Sequence, residues 1–105
     1  MKVYNKLVRD KIPEIIEADG KFCKTRILSD EEYIASLEEK LNEEVAEYQA
    51  DKNLEEMADV LEVLQAICIA RGYSLDELEA MRAKKAYERG GFKEKIFLEC
   101  VEEKR

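Results

Sequence analysis

Apolar residues along this chain recur at helical rather than alternating spacing. Ile34, Leu37, Leu41, Val45 and Tyr48 follow one another at intervals of three and four, predicting a long helix to about Ala50. Ser29 with Glu32 three residues later is a capping-box pair, in which hydroxyl and carboxylate satisfy each other's backbone N–H groups, and it opens that helix. Asp51, Lys52 and Asn53 interrupt the pattern, which resumes from about Leu54 to Ala70 and stops before Gly72. A turn this short makes the two helices antiparallel neighbours. A second pair of this kind, Ser74 with Glu77, starts a further helix reaching about Arg89, where Gly90 and Gly91 break it. Pro13 suits a first helical turn and Gly20 a helix end, so roughly residues 11–19 form a short first helix.

Two stretches break the helical period. Lys21 to Leu28, and Ile96-Phe97-Leu98 near the end of the sequence, are short and rich in β-compatible residues. Residues 22–28 and 95–101 are therefore expected to pair as a small β-hairpin. The predicted fold is mainly all-α: a bundle of about four helices in a single domain spanning residues 1–105, with that hairpin appended.

Composition supports helices over sheet. The chain of 105 residues is 41% charged, with one Pro and four Gly. A core this small leaves apolar helix faces over, so a homo-oligomer, a homodimer or homotetramer, is expected. The net charge of −7 disfavours a nucleic-acid polymer or an anionic membrane as partner, since both call for a dominant basic patch. Cys23, Cys68 and Cys100 form no C-x-x-C pair, and with no His they make a poor zinc set. Three reduced thiols, a charged opening stretch and no apolar run near membrane-spanning length point to the cytoplasm.

The acidic residues then sort by position. Taking about 100° per residue, Glu43 falls opposite the apolar stripe of its helix and is expected in solvent. Glu44 lies on the flank of that stripe with Glu47 and Lys40 beside it. On the next helix Leu54, Met57, Ala58, Leu61, Leu64 and Cys68 form one apolar face, and Val63, Ala66 and Ile67 a second, so this helix should be central. Glu56 and Asp59 fall in line with the second face. Carboxylates on a buried face must be protonated, paired with bases or bound to a cation. Both pairs, Glu44/Glu47 and Glu56/Asp59, are i, i+3 and lie near the turn, so four carboxylates can converge. An all-oxygen cluster selects a hard cation, Mg²⁺ or Mn²⁺, which leaves positions open for water and phosphate.

This pattern resembles a known signature. Lys40-Leu-Asn-Glu-Glu-Val-Ala-Glu47 followed by Glu56-Met-Ala-Asp59 is similar to the E-x-x-E…E-x-x-D motif of the all-α nucleoside triphosphate pyrophosphohydrolases. The opening YNKLVRDKIPEII and closing ERGGFKEKIFLE resemble a short MazG-like, phosphoribosyl-ATP pyrophosphohydrolase-like branch. The resemblance implies an oligomeric helical enzyme that binds Mg²⁺ through Glu44, Glu47, Glu56 and Asp59. Its reaction would be hydrolysis of a nucleoside triphosphate to monophosphate and pyrophosphate, with Glu47 as proton acceptor. The stretch between Glu47 and Glu56 is shorter than in many family members. The absence of His departs from the histidine-pathway enzyme, so housekeeping of standard or damaged nucleotides fits better than phosphoribosyl-ATP.

An anionic substrate needs cationic or N–H partners. Asn5, Lys6 and Arg9 in the family-like opening string are candidates for phosphate or base contact. Arg89 and Lys93 belong to a basic cluster near the end of the fourth helix, where the macrodipole alone also favours basic residues. Lys40 is either a substrate contact or an ion-pair partner holding Glu44 and Glu47. Two other readings are a non-enzymatic helical interaction module and a phosphohydrolase that releases orthophosphate.

Overall fold

A computed structural model describes residues 1–103. It contains four helices in the expected order: α1 (Ile12–Ala18), α2 (Asp30–Asp51), α3 (Leu54–Ala70) and α4 (Leu75–Arg89). The protein is thus all-α, and the local signals account for each boundary. Pro13 occupies the first turn of α1. The Ser29 side chain accepts from the Glu32 backbone N–H at 3.2 Å, and Glu32 accepts from the Ser29 N–H at 3.2 Å, completing the capping box of α2. At α4, Ser74 accepts from the Glu77 N–H at 3.0 Å, while the Glu77 carboxylate takes the Ser74 hydroxyl rather than closing the box through the backbone.

Three of the four helices, α1, α3 and α4, end at a glycine of positive φ. After α3, Gly72 (φ +90°) lets Tyr73 N–H reach the Cys68 carbonyl and Gly72 N–H the Ile69 carbonyl, both at 3.0 Å. That is a Schellman closure, satisfying carbonyls the helix leaves open. The link between α2 and α3 is only Lys52 and Asn53. Lys52 takes the left-handed conformation (φ 51°), and Asn53 caps α3 by accepting from the Glu56 N–H at 2.9 Å. Asn53, a turn residue by the sequence pattern, is thus also the N-cap of α3.

Helices α2 and α3 pack along each other as the antiparallel pair that forms the body of the fold, and α4 packs more lightly on α3. Helix α1 packs on none of the other helices. The buried residues of the described chain are few: Leu37 on α2, Val63 and Cys68 on α3, and one carboxylate, Glu44. The face of α3 turned to α2 carries Val63, Ala66 and Ile67 with Glu56 and Asp59. Its other apolar face stands open apart from Cys68, so α3 is not central within one chain.

The expected β-hairpin is absent. Residues 22–28 and 95–101 adopt no strand, and Phe22, Ile27, Ile96, Phe97, Leu98 and Val101 are exposed. A two-stranded ribbon is marginal in water unless a third strand or a helix covers one face. Neither segment has such a cover here, so β propensity alone does not build a ladder. No described helix is long and apolar enough to cross a membrane.

Candidate metal centre

The antiparallel pairing of α2 and α3 brings the two acidic motifs together near their connection. Glu44, Glu56 and Asp59 each place a carboxylate oxygen within 4.8 Å of the others. A second group, Glu43, Glu44 and Glu47, meets the same criterion along α2. Glu44 belongs to both and is the hinge of the cluster. The four sequence candidates therefore gather around Glu44, but in two overlapping triads, with Glu47 on the exposed side.

Glu44 is the unusual member. Only 7% of its surface is exposed, and one oxygen, Oε1, lies 3.3 Å from the Lys40 ammonium. The other oxygen, Oε2, is buried with no hydrogen-bond partner, as is Oε2 of Glu56. Burial pushes the Glu44 carboxyl above its usual range, Lys40 pulls it back and the neighbouring Glu47 pushes it up again. Glu56 is also raised, first by the loss of solvent around it and then by the charge of Asp59. Carboxylates whose charged form burial disfavours, and whose second oxygens have no hydrogen-bond partner, are suited to receive a cation. Oxygen ligands without His or Cys suit Mg²⁺ or Mn²⁺, so the residues present pass the test for a hard cation.

Basic residues surround the acids. The extended opening segment crosses the helix pair and sets Arg9 Nη2 2.6 Å from Asp59 Oδ1, and Lys6 Nζ 3.0 Å from Glu43 Oε1. Lys40 bridges Glu44 and Glu43, the latter at 3.4 Å. Its observed role is thus ion-pair partner to the acids. Asn5, in the left-handed conformation at φ 45°, bends this segment. With Lys6, Ser36, Lys40 and Glu43 it lines a cleft of about 70 Å³ beside the cluster. Arg89 and Lys93, by contrast, are exposed and make no ion pair with these acids. A larger open hollow of about 380 Å³ runs along α1 between Ile15 and Lys21, away from the acidic residues.

One expectation reverses. Glu43 is not a free solvent carboxylate but is half-buried between Lys6 and Lys40, and the Lys6 hydrogen bond draws its carboxyl below the usual range. The local wheel misplaced it because its principal partner comes from 37 residues away. The one local hint was Lys40, three residues earlier on the same helix.

Fold and site together define a small all-α protein with a shared, partly buried carboxylate cluster at a helix–helix connection. Among known proteins, a 44-residue stretch is 59% identical to an uncharacterized protein of Mycolicibacterium smegmatis. The match covers 42% of this chain and 45% of that protein, so this chain spans less than half of that relative's length. No family model matches the chain, and no solved structure matches it significantly.

Proposed function

We propose that this chain is a Mg²⁺-dependent nucleotide pyrophosphohydrolase that works in the cytoplasm on nucleoside triphosphates. The observation that carries the reading is the Glu44–Glu56–Asp59 triad, with two buried carboxylate oxygens lacking any partner. The sequence resemblance supports the same assignment. Glu44, Glu56 and Asp59, with Glu47 beside them, would hold the cation. When bound, Mg²⁺ (or Mn²⁺) supplies positive charge against the phosphate oxygens.

The chain's own residues provide the rest. Arg9 stands beside Asp59 with its guanidinium largely exposed, ready to fork onto a phosphate next to the cluster. Lys6 and Asn5 border the adjoining cleft and extend that cationic edge along a triphosphate. Lys40 neutralises Glu44 and Glu43, keeping the acidic side chains assembled rather than splayed by repulsion. Glu47 is exposed and sits against Glu44, which leaves it free to take a proton. In the proposed step a water oxygen bonds to the α-phosphorus and its proton passes to Glu47. The α–β anhydride P–O bond breaks, and pyrophosphate leaves with the electron pair.

The deciding experiment incubates the protein and an Asp59→Asn variant with Mg²⁺ and a panel of standard, deoxy and oxidised nucleoside triphosphates plus phosphoribosyl-ATP. Pyrophosphate and orthophosphate are assayed separately. Mg²⁺-dependent pyrophosphate release that disappears in the variant is the expected result. Orthophosphate as the product, or activity indifferent to the substitution, would overturn the proposal.

A further inference from the structure

The segment that brings basic residues to the acidic cluster has little else to hold it. Residues 1–11 lie outside the helices, and α1, which follows them, packs on no other helix. Of residues 1–10 only Leu7 is half-buried; the others are exposed. Among the described residues, no backbone hydrogen bond joins residues 1–11 to α2 or α3. The side-chain hydrogen bonds from this segment to the helix pair, among the described residues, are those of Lys6 to Glu43 and of Arg9 to Asp59. The opening segment is thus a strap tied down by Leu7 and by charge.

The two charged ties are not equivalent. Glu43 lies outside the Glu44–Glu56–Asp59 triad and is also bound by Lys40 of its own helix. Asp59 belongs to the triad, with the orphaned Oε2 atoms of Glu44 and Glu56. At 7% exposure, Glu44 has little access to solvent that could supply the partner. Arg9 bonds Asp59 through one nitrogen, Nη2, and leaves both orphaned oxygens as they are. Its side chain is 56% exposed and that of Asp59 31%, so water screens the pair and its hold is weak. A divalent cation gathered by three carboxylates holds Asp59 far more firmly, and it repels a guanidinium seated on the same group.

We propose that Arg9 is an exchangeable latch: it sits on Asp59 until a divalent cation takes that carboxylate, then turns to the phosphates of a nucleotide, while Lys6 stays moored on Glu43. This rests on the reading of Glu44, Glu56 and Asp59 as a cation site, and adds an order of events to it. The strap is loose with the cation alone and closes on the cation together with a polyphosphate. Three residues of extended chain span roughly 10 Å, so the moored Lys6 keeps the freed guanidinium within reach of the cluster. The guanidinium fork suits a phosphate better than it suits a carboxylate already committed to a cation.

Two readouts, neither of them activity, test this. The first is Mn²⁺ affinity at fixed ionic strength, followed by the electron paramagnetic resonance of the free ion. Arg9→Gln is expected to bind Mn²⁺ about fivefold to tenfold more tightly than the wild type, because the competitor for Asp59 is gone. Lys11→Gln removes the same charge from an exposed residue two places on, and is expected to stay within about twofold of the wild type. The second readout is arginine modification by phenylglyoxal, resolved residue by residue by mass spectrometry. Arg9 is expected to react several-fold faster in Mg²⁺ than in chelator. Mg²⁺ with an α,β-methylene nucleoside triphosphate should protect it again, with exposed Arg89 as the internal reference. Mn²⁺ binding that is unchanged or weaker in Arg9→Gln overturns the inference and leaves the cation site standing. So does an Arg9 equally reactive in chelator and in Mg²⁺, and failure of the nucleotide to protect it overturns the transfer to phosphate. Absence of Mn²⁺ binding in wild type and variant alike removes the cation site, and the latch with it.

Discussion

Replacing Glu44 by glutamine should stabilise the metal-free protein and abolish its stabilisation by Mg²⁺. The substitution keeps the shape of a side chain that is 7% exposed and removes its charge. Two unit charges 4.8 Å apart repel by about 3.5 kcal/mol at an effective dielectric constant near 20. Glu44 has two acidic neighbours within that distance on α3. Against them stands Lys40 at 3.3 Å, an attraction of about 5 kcal/mol on the same scale. Glu43 and Glu47 on α2 lie within the same distance, so the balance is repulsive, and relaxation and solvent reduce the observable gain to roughly 1–2 kcal/mol. For a chain of this length that corresponds to about 5–10 °C in Tm. A cation present at 100 times its Kd adds about 2.7 kcal/mol to the wild type, and the variant lacks the ligand to receive it. The assay is thermal unfolding at fixed protein concentration, in chelator and in saturating Mg²⁺. Glu44→Gln should melt above the wild type in chelator and below it in Mg²⁺. A variant that melts lower in both conditions, with a wild type indifferent to Mg²⁺, would refute the reasoning.

Three further outcomes follow from the same contacts. Lys40→Met removes the cation that bridges Glu44 and Glu43 and leaves a buried carboxylate unpaired, which should cost about 2–3 kcal/mol in chelator, read by urea denaturation. Added Mg²⁺ should recover much of that loss. Ser29→Ala deletes the N-cap of α2, and thermal melts should show a loss of about 1 kcal/mol. Glu32 is held down to about 2, from an ordinary 4.5, first by the Arg26 hydrogen bonds and then by Ser29. A depressed carboxyl contributes stability that is fully present above the unfolded value and disappears as pH falls through the folded one. Wild-type Tm should therefore drop more steeply than that of Glu32→Gln between about pH 4.5 and 2.

The helices were legible in the sequence because their signals are local. Ser29 with Glu32, Ser74 with Glu77, Pro13, Gly20 and Gly72 act within a turn of the backbone they terminate, so residue identity nearly determines the boundary. The gathering of Glu44, Glu56 and Asp59 was legible too, because the two-residue connection leaves α2 and α3 little choice but to run back on each other. Tertiary structure decided what depends on distant partners. Arg9 meets Asp59 across 50 residues and Lys6 meets Glu43 across 37, and no periodicity within a helix reports such pairings. The same holds for residues 22–28 and 95–101, whose β propensity came to nothing without a surface to pack on. It holds also for α3, whose two apolar faces look alike in the sequence. Packing buried the face that carries the acids and left Leu54, Met57, Leu61 and Leu64 on the other face open, because burial is a property of neighbours rather than of the residue alone.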